Sequence, residues 1–180
     1  MGEHAPARYT TYMDTHEDWM NRLRKEEFIQ NGDTLSVSDE VPGYVRMNGQ
    51  IPCRGDIVIT VNKFLKVIRG GGGDGEPVVQ TWRYAYNAHV RGHHTFMRCD
   101  NAHAHPGHPS PHHRHESRWD TGEDLLGSPF HVGEKWPNLG EFIRMVHDWY
   151  LEHRDELPDP EGVPEVGREH CHESPLSLDA

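Results

Sequence analysis

Residues 78–98, Val-Val-Gln-Thr-Trp-Arg-Tyr-Ala-Tyr-Asn-Ala-His-Val-Arg-Gly-His-His-Thr-Phe-Met-Arg, decide how this chain folds. From Val78 to Val90 the segment carries Trp82, Tyr84 and Tyr86 two residues apart, the period of a strand that turns one face inward. Arg91-Gly92 then reads as a tight turn, and His93-His94-Thr95-Phe96-Met97-Arg98 as the returning strand. Upstream, the β-branched run Ile57–Val61 continues through Phe64, Leu65, Val67 and Ile68, which predicts one long or bent strand. The glycine-rich run Gly70–Gly75 between the two reads as a hairpin tip. No Gly-Lys-Ser/Thr follows it, so it is not a phosphate-binding loop. Three consecutive strands with short connections predict an antiparallel meander.

Helical periodicity flanks this meander on both sides. Between Asp14 and Gln30, Trp19, Met20, Leu23 and Phe28 mark an apolar side, and Asn31-Gly32-Asp33 is the expected stop. Near the other end, Leu139, Phe142, Ile143, Val146, Trp149 and Tyr150 recur at three- and four-residue spacing, the stripe of an amphipathic helix. Asn138 is placed to cap it, with Glu141 able to return the bond as in a capping box, and Pro158 limits its length. Asp100–Pro111 reads as loop, and His112–Glu116 as a short last strand or a loop packed on the sheet end. The expected fold is therefore α+β: a two-layer domain with a meander sheet of three to five strands, an N-terminal helix and a C-terminal helix. Its expected limits are an N-terminal arm at 1–13, one domain at 14–156 with a His-rich loop at 99–118, and a disordered acidic tail at 157–180.

Charge is zoned along the 180 residues. The net charge is −11, yet residues 83–118 carry five arginines against only Asp100 and Glu116, so this segment alone is net basic. An acidic total argues against unspecific nucleic-acid binding, but within the basic segment the balance is the opposite and suits a phosphate-bearing ligand. Lysine is scarce, at four residues against fourteen arginines, a balance that fits a high-salt cytoplasm or an arginine-biased genome. The three cysteines, Cys53, Cys99 and Cys171, have no paired spacing, which points to a reducing, cytoplasmic setting rather than a disulfide framework. No stretch approaches the length of a membrane span, so no membrane partner is expected.

The chemistry concentrates in the same basic segment. Nine of the sixteen histidines fall between His89 and His115. Histidine serves near neutrality as acid, base or neutral metal ligand. Cleaving RNA through its 2′-hydroxyl needs a base, an acid for the leaving oxygen and a cation over the developing phosphorane. His112, His113 and His115 are the candidate acid and base, with Asp100 to orient an imidazole. Arg98 or Arg114 would hold the phosphate, and Tyr84, Tyr86 and Asn101 complete the candidate substrate-binding set. This chemistry needs no cofactor. A second reading makes the histidines ligands for zinc or another divalent metal: His103 and His105, like His113 and His115, share a face if extended, with Asp100 or Cys99 as anionic ligand. In a third reading the segment belongs to a non-catalytic interaction domain.

Three pieces in order, Tyr84-Ala85-Tyr86, Arg98-Cys99-Asp100-Asn101-Ala102-His103 and Pro111-His112-His113-Arg114-His115, resemble the TumE-type toxin family of prokaryotic toxin–antitoxin modules. The resemblance covers roughly residues 50–152. Cys99 stands where the family pattern has an aromatic residue, and the stretch from Thr121 to Trp136 is longer than usual. The resemblance implies a growth-blocking toxin acting on RNA or translation, an endoribonuclease if the histidines work as acid and base, paired with a helix-turn-helix antitoxin.

Overall fold

A computed structural model describes residues 5–39, 41–68, 75–101, 111–131 and 136–167. The chain runs β1 (Ala7–Arg8), α1 (Tyr9–Lys25), β2 (Ser36–Ser38), β3 (Tyr44–Cys53), β4 (Ile57–Ile68), β5 (Val78–Val90), β6 (Thr95–Asp100), β7 (His113–Glu116), β8 (Phe130–His131) and α2 (Leu139–His153), with a 3-10 turn at Arg154–Glu156. The strands form one antiparallel sheet in the order β2-β3-β4-β5-β6-β7-β8, and β1 pairs with the start of β5. This is the expected α+β meander between two helices. It has eight described strands rather than three to five, and three of the additional ones are only two or three residues long.

The strands β4 and β5 match their sequence signals to the residue, and they form the longest ladder. The additional long strand is β3. Gly49 and Pro52 interrupt its periodicity, and Gly49 is needed where it stands. A Cβ on Gly49 would come within 2.5 Å of the Thr34 carbonyl oxygen, because the chain entering β2 crosses there. The β3–β4 hairpin turns on Gly55 and Asp56, both at positive φ. At Gly55 a side chain would collide with Leu157 and Tyr150.

Both helices pack on one face of the sheet. Met20 and Leu23 of α1, and Phe142, Ile143, Val146 and Tyr150 of α2, join Ile57, Ile59, Val61, Tyr84, Tyr86 and Ala88 in a single core. Each such side chain contributes roughly 1.5–3 kcal/mol by leaving water. The Asn138–Glu141 capping box forms as expected: Asn138 Oδ1 accepts from Glu141 N at 2.9 Å, and Asn138 N donates to Glu141 Oε2 at 3.0 Å.

Several limits move. α1 begins at Tyr9, inside the expected arm, and ends at Lys25 rather than Gln30. Glu27 takes a positive φ, and Phe28 and Ile29 leave the helix to be buried against β3, where Ile29 bridges Cys53. At the other end, packing continues past 156. Leu157 is buried, Asp56 N donates to Gly162 O at 2.9 Å, and Tyr150 Oη donates to Pro160 O at 3.0 Å. The expected tail therefore does not begin at 157; residues 168–180 lie outside the described set.

The face shared by Trp82, Tyr84 and Tyr86 is also corrected. Phe64 pairs with Arg83, but Leu65 pairs with Thr81, so Trp82 is the extra residue of a bulge. One extra residue inverts the alternation. Tyr84 and Tyr86 enter the helix-side core, whereas Trp82 packs with Phe64 and Ala85 on the opposite face.

Candidate functional site

Register sorts the candidate residues by face. Arg98 pairs with His115 and Asp100 with His113 across β6–β7, while Asp100 lies opposite Ala85 and Arg98 opposite Asn87 across β5–β6. Ala85 belongs to the cluster on the side away from the helices, so Arg98, Asp100, His113 and His115 share that helix-free face. Two polar rows cross the sheet there. One runs Asn48, Asn62, Ala85, Asp100, His113; the other runs Gln50, Thr60, Asn87, Arg98, His115. Neighbouring strands stand ~4.8 Å apart, so adjacent members of a row are within side-chain reach.

Asp100 and His113 are both fully buried. Arg98 Nε donates to Asp100 Oδ2 at 2.8 Å, and the Arg98 side chain as a whole keeps a third of its surface in solvent. The carboxylate thereby fixes the guanidinium while leaving part of the side chain accessible. The His113 and His115 rings are 6.4 Å apart between centroids. His115 is half-buried with its Nε2 enclosed, and the exposed parts of the His115 and Arg98 side chains form a rim above Asp100 and His113. His89, on the same face opposite Val58, is held below the ordinary histidine value by burial.

The other candidates belong elsewhere. His112 precedes β7 and therefore points opposite to His113, by the strand's period of two. Its ring stacks on Trp136 at 4.8 Å and on Tyr84 at 5.8 Å, and its Nδ1 is hydrogen-bonded to Tyr84 Oη at 3.2 Å. Tyr84 and Tyr86 are fully buried, so neither offers a ring to a bound base. Burial, reinforced by Cys99 and Asp100, raises the Tyr84 phenol well above its ordinary value and keeps it protonated. Arg114 also faces the helix side. Its Nε pairs with Glu116 at 3.0 Å, and its guanidinium lies 5.0 Å from the Phe130 ring centre.

Asn101 serves the bulge: its Oδ1 accepts from Tyr84 N at 2.8 Å and its Nδ2 donates to Trp82 O at 3.0 Å. The amide that was a candidate for substrate is thus committed to the β5 backbone. Cys99 is buried on the helix side, with its thiol pushed up to about 12 mainly by burial, so it provides no anionic ligand. Of the alternative metal set, His103 and His105 lie outside the described residues. Among the described residues no three His, Cys, Asp or Glu side chains are grouped to hold a metal ion.

Comparison with family models, with curated proteins and with solved structures finds no match. What the site can do rests on its own chemistry.

That chemistry is a half-buried imidazole beside a carboxylate-held guanidinium, on a face lined with polar side chains. Asn62, Asn87 and Arg46 belong to the same face, although the motifs in the sequence do not single them out. Their signal is nonetheless present: on β4 and β5 the positions between apolar residues carry Thr60, Asn62, Arg83, Asn87 and His89. Among the described residues no helix is long and apolar enough to cross a membrane.

Proposed function

We propose that the chain acts on RNA from the helix-free face, as the toxin component of a prokaryotic toxin–antitoxin module. The observation that carries this reading is the convergence of Arg98, Asp100, His113 and His115 on one face through the β5–β6–β7 register. His115, the half-buried imidazole at the rim, takes the proton of a 2′-hydroxyl as its oxygen attacks the adjacent phosphorus. Arg98 faces the charge that develops on the non-bridging oxygens, with Asp100 keeping its fork in place. The departing 5′-oxygen takes its proton from solvent, leaving a 2′,3′-cyclic phosphate, and the fully buried His113, opposite Asp100 in the ladder, is a positioning residue. The polar rows on β4 and β5 extend this site into a track for the strand.

The toxin assignment, a cytoplasmic location and a helix-turn-helix antitoxin as partner rest on the resemblance in the three sequence motifs. Arg98, Asp100, His113 and His115 all belong to those motifs, which supports reading them as one site.

The test incubates untagged protein with single-stranded RNA and identifies the product ends. Cleavage leaving 2′,3′-cyclic phosphate, reduced about a hundredfold or more in folded Arg98→Ala and His113→Ala, is the expected result. Intact RNA, or equal cleavage by these variants, overturns the nuclease reading. Induced expression of wild type against His113→Ala tests toxicity separately, and equal growth at equal expression removes it.

A further inference from the structure

A second group of cations stands on the helix-free face, away from the β6–β7 residues. Arg46 pairs with Phe64 and Phe64 with Arg83 across β3–β4–β5, and Tyr44 pairs with Lys66 in the next row. Phe64 clusters with Ala85 and Trp82 on the side away from the helices, so these side chains share that side. Their contacts agree with the register. The Tyr44 and Trp82 rings are 4.8 Å apart between centroids, the Arg83 guanidinium carbon lies 4.7 Å from the Trp82 ring centre, and that of Arg46 lies 5.5 Å from the Phe64 ring centre. Lys66 is exposed, and Tyr44, Arg46, Trp82 and Arg83 are half-buried, so all five keep surface in solvent.

The charge of this face is opposite to that of the chain. Leaving histidines aside, its described strand residues carry Arg46, Lys66, Arg83 and Arg98 against one carboxylate, Asp100, in a protein of net charge −11. Lys and Arg gathered on one face of an acidic protein are the electrostatic footprint of a polyanion.

We propose that Lys66 and Arg83, with Arg46 adding charge, hold phosphates of a single-stranded stretch of RNA that runs on from Arg98, an inference that rests on the RNA function proposed for the site. Arg98 lies opposite Asn87, four residues along β5 from Arg83, so the two contacts are ~13 Å apart. A ligand that engages both must repeat its negative charge over that distance, as a nucleic-acid backbone does and a lone anion does not. The aromatic side chains favour an unpaired strand. Unpaired bases stack on aromatic rings and guanidinium planes, which Tyr44, Trp82 and Arg83 present among the cations, whereas the base faces of a duplex are already stacked.

The experiment measures binding of a short fluorescein-labelled 2′-O-methyl RNA, whose blocked 2′-oxygens prevent cleavage, to the full-length protein across a salt series. A phosphate contact on a single strand contributes ~0.7 to the slope of log K against log salt, so losing one weakens binding about eightfold at ~50 mM salt. Lys66→Gln and Arg83→Gln are each expected to show that loss of affinity and that fall in slope. Lys25→Gln, which removes the same charge from an exposed position on α1 in the helix layer, is expected to stay within about twofold of wild type. Circular dichroism checks the fold, and the exposed Lys66 keeps the test valid if Arg83→Gln unfolds. A folded Lys66→Gln or Arg83→Gln that binds like wild type overturns the inference, as does an equal loss in Lys25→Gln, which would show bulk charge at work. Equal binding of the strand annealed to its complement, or equal competition by poly-glutamate, overturns single-stranded RNA as the occupant. If wild type binds none of these RNAs, the RNA reading itself fails.

Discussion

Acid should loosen this protein through His16, and the effect can be isolated by one substitution. His16 lies on α1 beside a cavity of about 210 Å³ lined by Tyr12, Trp19, Lys63 and Leu139. Burial, and secondarily the positive charge of Lys63, lower its pKa from 6.5 to about 4, with Asp33 opposing and Arg24 adding to the shift. A histidine with a depressed folded pKa binds more protons when unfolded. Its contribution is therefore complete above the unfolded value of 6.5 and is lost as pH falls towards 4. Integrated between pH 7 and pH 4.5, the shift corresponds to about 2 kcal/mol. His147 and His89 are also lowered, chiefly by burial, and add acid sensitivity in the same direction. Urea unfolding of wild type and His16→Gln at both pH values cancels those contributions in the double difference. The wild type should lose about 2 kcal/mol more than His16→Gln between the two conditions. Equal losses would refute the buried, neutral His16.

Two further outcomes follow from the packing. Asn138→Ala removes the side-chain half of the α2 capping box, the bond from Glu141 N to Asn138 Oδ1, and should cost about 1 kcal/mol, lowering the melting temperature by roughly 2–4 °C; Asn138→Asp should recover most of it, and no change would contradict the cap. Cys53 and Cys99 are fully buried with thiols raised by burial, so neither should react with iodoacetamide in the folded protein at neutral pH. Mass spectrometry showing Cys99 alkylated without unfolding would contradict its placement.

The legible parts of the fold are those in which one periodicity runs uninterrupted. β4 and α2 bury continuous apolar faces; β5 is legible in its limits but not in its facing, because the bulge at Trp82 inverts the alternation. β3 is not legible, because Gly49 and Pro52 serve neighbouring chain crossings and strand pairing rather than periodicity. α1 ends early in a tertiary context: Phe28 and Ile29 are buried beyond the helix, where Ile29 bridges Cys53 of β3. Within the site, the separation of His112 from His113 and His115 follows from strand alternation once His113–Glu116 is recognised as a strand. The roles of Trp82 and Asn101 are not legible, since both depend on the β5 bulge, which no local pattern announces. Asn62 is hidden for another reason: a polar residue between apolar neighbours reads as solvent-facing, and only the three-dimensional structure shows it buried without a partner.

The central claim is that function resides on the helix-free face, and the two adjacent histidines test it most directly. Single-turnover cleavage of single-stranded RNA should fall about a hundredfold or more in His115→Ala and remain within about fivefold of wild type in His112→Ala, with folding of both confirmed by circular dichroism. Loss of cleavage in His112→Ala with His115→Ala fully active would place the chemistry at the Tyr84–Trp136 side and contradict the account.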